Sequence, residues 1–263
     1  MKTTPLLPAK FSLSEILYFF LYCIGSLFGL LALRGLLLRA IPALNAFQDL
    51  GAITLFFAYL FWIFGALVFF RRHDQYWGRY TVSTQFPGWL WTIVYPVLLW
   101  GSLIGILALL ATLAGGSIPG ITGDGTSIAR LPQQGLGTFF LLLSAGLLAP
   151  IAEELIFRGI LLPYFLRFTT APLAISLSGL LFALAHMQSG TILTLWILGS
   201  AAGFLCYKSG NIWPAIIFHT VNNALAIFVD YTSGAASSRS FFAMSVTRSI
   251  ACLGDSTVTN CGL

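Results

Sequence analysis

Apolar runs long enough to cross a lipid bilayer recur along most of this sequence. They lie near Ile16–Leu33, Gly51–Phe70, Trp89–Ala114, Leu136–Ile151, Ala171–Met187, Thr191–Tyr207 and Ile212–Tyr231. A run of about 18 such residues reads as a transmembrane helix, because a bilayer offers the backbone no hydrogen-bond partner except itself. The 263 residues are 58% hydrophobic and 8% charged, with a mean hydropathy of +0.90. Soluble domains carry about 25% charged residues. The expected fold is therefore all-α: a polytopic membrane bundle of seven or eight helices. The eighth helix would be Ala152–Phe168, which crosses, dips or lies at the interface. Several runs are short for a full crossing, which suits helices packed centrally and shielded from lipid.

The formal charge of +5 is no sign of nucleic-acid binding, since the basic residues flank apolar segments and mark topology. With seven crossings, Lys2, Lys10, Arg71, Arg72, Arg79, Arg158, Arg167 and Lys208 fall on one side. Arg34, Arg39, Arg130, Arg239 and Arg248 fall on the other. That bias puts the N-terminus in the cytoplasm, and Ile16–Leu33 reads as a retained helix rather than a cleaved signal peptide. Compact loops fit a prokaryotic plasma membrane. Cys23, Cys206, Cys252 and Cys261 form no C-x-x-C pair, so no thiolate zinc site is expected. Cys252 and Cys261 read either as a disulfide or as two free thiols.

Three regions differ in texture. Residues 1–134 combine aliphatic and aromatic helices with a Gly/Pro/Ser/Thr-rich loop, and read as scaffold. Residues 135–231 hold nearly every polar group set at membrane depth. Residues 232–263 read as a loosely ordered tail.

Within the second region, Glu153 and Glu154 stand side by side in LLSAGLLAPIAEELIFRGILL. A charged carboxylate near the bilayer centre costs about 2.5–3.5 kcal/mol on insertion scales, so two together require a reason. Glu154 and Arg158 share a helix face at i,i+4 spacing and are expected to pair. Glu153 lies about 100° around the helix and cannot share that partner equally. It is left free to act. His186 closes Phe182-Ala-Leu-Ala-His186. His219 and Asn223 project together from His219-Thr-Val-Asn-Asn223, although adjacent Asn222 leaves the facing amide ambiguous. Each group alone could be a clasp between helices. Together, on three helices, they need polar company that they can supply to one another.

The order E-E-x-x-x-R, F-x-x-x-H, H-x-x-x-N resembles the CPBP family: type II CaaX prenyl endopeptidases and prokaryotic relatives grouped with bacteriocin-processing and immunity proteins. The resemblance covers about residues 135–230. It implies an intramembrane endopeptidase in which Glu153, aided by His186, activates a water, while His219 and Asn223 stabilise the oxyanion. Glu154 and Arg158 would be structural. The implied mechanism needs no cofactor. A zinc metalloendopeptidase is the alternative, with Glu153, His186 and His219 as ligands, although the H-E-x-x-H signature is absent. Implied partners are the bilayer and a protein or peptide substrate, prenylated or bacteriocin-like, and not nucleic acid. Two other classes compete: a non-catalytic immunity or scaffold protein of the same fold, and a proton-coupled transporter. The latter often shows inverted repeats, and no repeat is visible here.

Overall fold

The computed structural model describes residues 10–42, 44, 50–73, 88, 90–113, 136–186 and 192–232. The loop 115–134, the tail beyond Thr232 with Cys252 and Cys261, and the basic residues Lys2, Arg79, Arg130, Arg239 and Arg248 lie outside the described residues. Among the described residues all regular structure is helical, in seven helices. They are α1 (Leu13–Ala40), α2 (Leu50–Arg71), α3 (Leu90–Val94 running into Tyr95–Leu113), α4 (Leu136–Phe165), α5 (Ala171–Ala185), α6 (Ile192–Ser209) and α7 (Trp213–Thr232). Four of them, α1, α2, α4 and α6, are long and apolar enough to cross a membrane.

The expected count is met at its lower value, because Leu136–Ile151 and Ala152–Phe168 are not separate helices. They form the single helix α4. Pro150 and Pro163 both sit inside it, and a proline in a helix interior removes a donor and crowds the carbonyl four residues back. The chain answers by widening. Ser144–Leu148 and Leu155–Leu161 are π-helical, each ending shortly before a proline, and Leu90–Val94 stands in the same relation to Pro96. A π turn bonds i to i+5, which relieves the clash without ending the helix.

α1 also runs past its expected end at Leu33. Arg34 and Arg39 are carried on the helix, which continues to Ala40. At its start Ser12 and Glu15 form a capping box, satisfying first-turn amides that have no helical partner. Glu15 reaches His73 at 3.2 Å, and Arg167 donates to the carbonyl of Phe11. The start of α1 and the ends of α2 and α4 therefore share one end of the bundle. Arg158 does not belong to the flanking charges. It is fully buried within α4 and marks neither side.

α1 is peripheral, with 17% of its apolar window buried against 50% for α6. The centre is α4 with α5, α6 and α7. Helices α5 and α6 approach through Gly179 and Gly199, where an added Cβ on Gly179 would lie 2.7 Å from the backbone nitrogen of Ser200. The turn from α6 to α7 uses Gly210 at φ 63°, a left-handed conformation that suits glycine. Asn211 then accepts the Trp213 amide at 2.9 Å, setting the start of the helix that carries His219.

Candidate active site

α4 delivers the two carboxylates to different surroundings. Glu154 is fully buried, and its Oε1 accepts from Arg158 Nη1 and from His219 Nδ1, each at 2.9 Å. Arg158 uses its other arm on the carbonyl of Gly199, with Nη2 at 2.6 Å. Its guanidinium lies 4.9 Å from the centre of the Phe182 ring, within range of a cation–π contact. One ion pair thus joins α4, α6 and α7. The close approach at Gly179 and Gly199 is what lets the Gly199 carbonyl meet Arg158.

Glu153 faces the two imidazoles. Its Oε2 is 3.7 Å from His186 Nε2 and 3.8 Å from His219 Nε2, and this buried oxygen has no hydrogen-bond partner. Both gaps exceed a direct hydrogen bond and are the kind that a water bridges.

The two rings are locked through their other nitrogens. His186 caps α5, and its Nδ1 is 2.7 Å from the carbonyl of Phe182 one turn back. His219 Nδ1 meets Glu154. A backbone carbonyl and an ionised carboxylate only accept, so each Nδ1 carries the hydrogen. Each Nε2 is then a lone pair in the neutral ring and a donor only in the imidazolium. The Phe182 ring holds the pair apart, 4.5 Å from His186 and 5.4 Å from His219.

Of the sequence-selected residues, Glu153, His186 and His219 converge, and Glu154 and Arg158 pair behind them. Asn223 is turned towards the backbone of α4, donating from Nδ2 to the Ala145 carbonyl at 2.9 Å. Asn222 faces inward instead. It lines a small cavity with Glu154, Arg158, Phe182 and His219, with room for about one water. That cavity lies on the Glu154 side of His219, not in front of Glu153.

The donor set also bears on zinc. Two imidazoles anchored through Nδ1 are held as metal-ligating histidines are. Tetrahedral ligands at zinc distances stand about 3.4 Å apart, whereas these gaps are 3.7 and 3.8 Å. Among the described residues no three His, Cys, Asp or Glu side chains are arranged to hold a metal ion. The residues fit in kind and are looser in spacing.

Residues 135–225 match the family model described as type II CAAX prenyl endopeptidase Rce1-like. That segment is similar to this family. The match falls in the family that the three motifs resemble. It covers roughly a third of the chain and takes in α4, α5, α6 and most of α7. No curated protein and no solved structure matches the chain significantly. The Rce1-like segment contains every residue of the constellation, from Glu153 to Asn223.

Reasoning from sequence missed Gly199, whose role is a carbonyl exposed by close packing. It also missed Ser178, whose Oγ donates to the Phe157 carbonyl in the second π stretch at 2.9 Å. A small residue on an apolar helix carries no visible sign of either task.

Proposed function

We propose that the chain is an intramembrane endopeptidase that cleaves a membrane-associated, lipidated protein or peptide with a glutamate-activated water. The observation that carries this reading is the unpartnered Oε2 of Glu153 opposite two imidazole nitrogens. A carboxylate and the His186 Nε2 lone pair accept both hydrogens of one water, leaving its oxygen lone pairs free. As that oxygen adds to the scissile carbonyl, Glu153 takes its proton. Glu153 later returns the proton to the leaving amine.

In this reading His219 acts as an imidazolium, with a hydrogen on each ring nitrogen. Glu154 behind its Nδ1 stabilises that imidazolium, as a carboxylate does in other acyl-transfer sites. His219 Nε2–H and the second amide hydrogen of Asn223 are then the donors for the oxyanion. A preorganised donor is worth about 10²–10³ in turnover.

Zinc remains the second reading, favoured by the Nδ1 anchoring of both histidines. In it, Glu153, His186 and His219 would hold the ion, which would supply Lewis acidity to a bound water. The first 134 residues are read as scaffold and 135–231 as the catalytic core. Lys10, Arg71, Arg72 and Arg167 gather at the end of the bundle where α1 begins, which favours a cytoplasmic N-terminus, and the membrane is read as a prokaryotic plasma membrane. The test is hydrolysis of a quenched, farnesylated C-a-a-X peptide by the purified protein in nanodiscs. Cleavage by the wild type and none by Glu153→Gln is the expected result.

A further inference from the structure

Asn223 reaches the backbone of α4 because Pro150 leaves a carbonyl without a partner there. In the first π stretch the Ala149 amide bonds back to the carbonyl of Ser144. The next amide in that pattern would serve Ala145, and it belongs to Pro150, which has none. Asn223 supplies the missing donor from α7.

The Asn223 carboxamide is held from its other side too. Its Oδ1 accepts from Asn222 Nδ2 at 3.3 Å. Asn222, itself buried, accepts on Oδ1 from Trp100 Nε1 at 3.1 Å. The chain has one direction only. An indole nitrogen can only donate and a backbone carbonyl can only accept, so both amides between them are fixed in orientation. It runs from α3 through two adjacent residues of α7 to α4, and begins outside the Rce1-like segment.

Its end lies one helical turn from His219, because Asn223 follows His219 at i,i+4 spacing on α7.

We propose that Trp100 and Asn222 are positioning residues for Asn223: the Trp100–Asn222–Asn223 chain sets where Asn223 presents its second amide hydrogen to the developing oxyanion. This rests on the endopeptidase reading. It assigns a catalytic-site function to α3, which otherwise reads as scaffold. The chain acts through the orientation of a donor, so its loss affects turnover and leaves substrate binding in place.

The test uses full-length protein in nanodiscs and the farnesylated C-a-a-X peptide. Trp100→Phe keeps an aromatic ring and removes the indole hydrogen; Asn222→Asp keeps the acceptor for Trp100 and removes the donor to Asn223. Each should lower kcat about tenfold, short of the 10²–10³ for losing an oxyanion donor outright, with KM within twofold. An unchanged kcat in both would overturn the proposal, as would a change confined to KM. A second arm needs no activity. With ¹⁵N-asparagine labelling, the Asn223 carboxamide resonance, identified by its loss in Asn223→Ala, should shift in Trp100→Phe. An unmoved resonance overturns the proposal even if the peptide is cleaved. A shift in a protein that cleaves nothing supports the chain and rejects the endopeptidase reading instead.

Discussion

Glu154 Oε1 takes a hydrogen bond from Nδ1 of His219 at 2.9 Å, across the interface between α4 and α7. That contact decides which nitrogen of the ring faces Glu153. It also gives the buried Glu154–Arg158 pair a purpose beyond its own charge balance, since a buried ion pair is weak evidence for stability by itself. Two adjacent carboxylates thereby hold separate tasks, one orienting an imidazole and the other opposed to it across a gap suited to water.

Glu154→Gln leaves Arg158 as an uncompensated buried charge. Its expected cost is about 3–5 kcal/mol, measured by denaturant unfolding in detergent micelles. Adding Arg158→Met should recover much of that stability, because an apolar replacement removes the stranded charge. Activity should stay lost in the double variant, since His219 has lost its carboxylate. Recovery of both would mean that the pair serves stability alone.

Gly179→Ala tests the close approach of α5 and α6. The new methyl would sit 2.6 Å from Ser200 Oγ and 2.7 Å from its backbone nitrogen, and backbone cannot move aside as a side-chain tip can. Overpacking of this kind costs about 1–3 kcal/mol. Thermal unfolding should fall accordingly, and the Gly199 carbonyl should draw away from Arg158. An unchanged midpoint would refute the tight contact.

Pro150→Ala should separate stability from turnover. An interior proline costs a helix about 3 kcal/mol, so replacing it should leave the protein at least as stable. The restored amide can bond Ala145, however, and compete with Asn223 for that carbonyl. Turnover is expected to fall about tenfold, part of the value of an oxyanion donor, while the unfolding midpoint holds or rises. Both quantities moving down together would contradict the role given to the freed carbonyl.

Metal dependence divides the two mechanisms. The glutamate mechanism predicts full peptide hydrolysis after dialysis against a strong chelator, with sub-stoichiometric zinc by elemental analysis. Loss of activity on chelation, restored by one equivalent of zinc, would establish the metalloenzyme instead.

Much of the fold and part of the site were legible from residues alone, for identifiable reasons. Long apolar runs located the helices because a bilayer permits little else. The Glu154–Arg158 pair followed from i,i+4 spacing, a local property. The division of α4 at Ile151 and Ala152 failed because the chain continues through Pro150 as one helix, with a π stretch absorbing the proline. Arg34 and Arg158 misled in the same way: a charge reads as the edge of a span, yet one rides along α1 and the other is buried. Contacts made across the bundle were beyond reach. Nothing local marks Trp100 as a partner of Asn222, 122 residues away. Asn222 and Asn223 could be assigned their separate directions only once α4 and α7 were seen side by side.

Hydrolysis of the farnesylated peptide by wild type, Glu153→Gln and His219→Ala, assayed side by side in nanodiscs, is the most direct measurement. The account predicts product from the wild type and a loss of at least about 10² in kcat for each variant. Equal product from all three would contradict it.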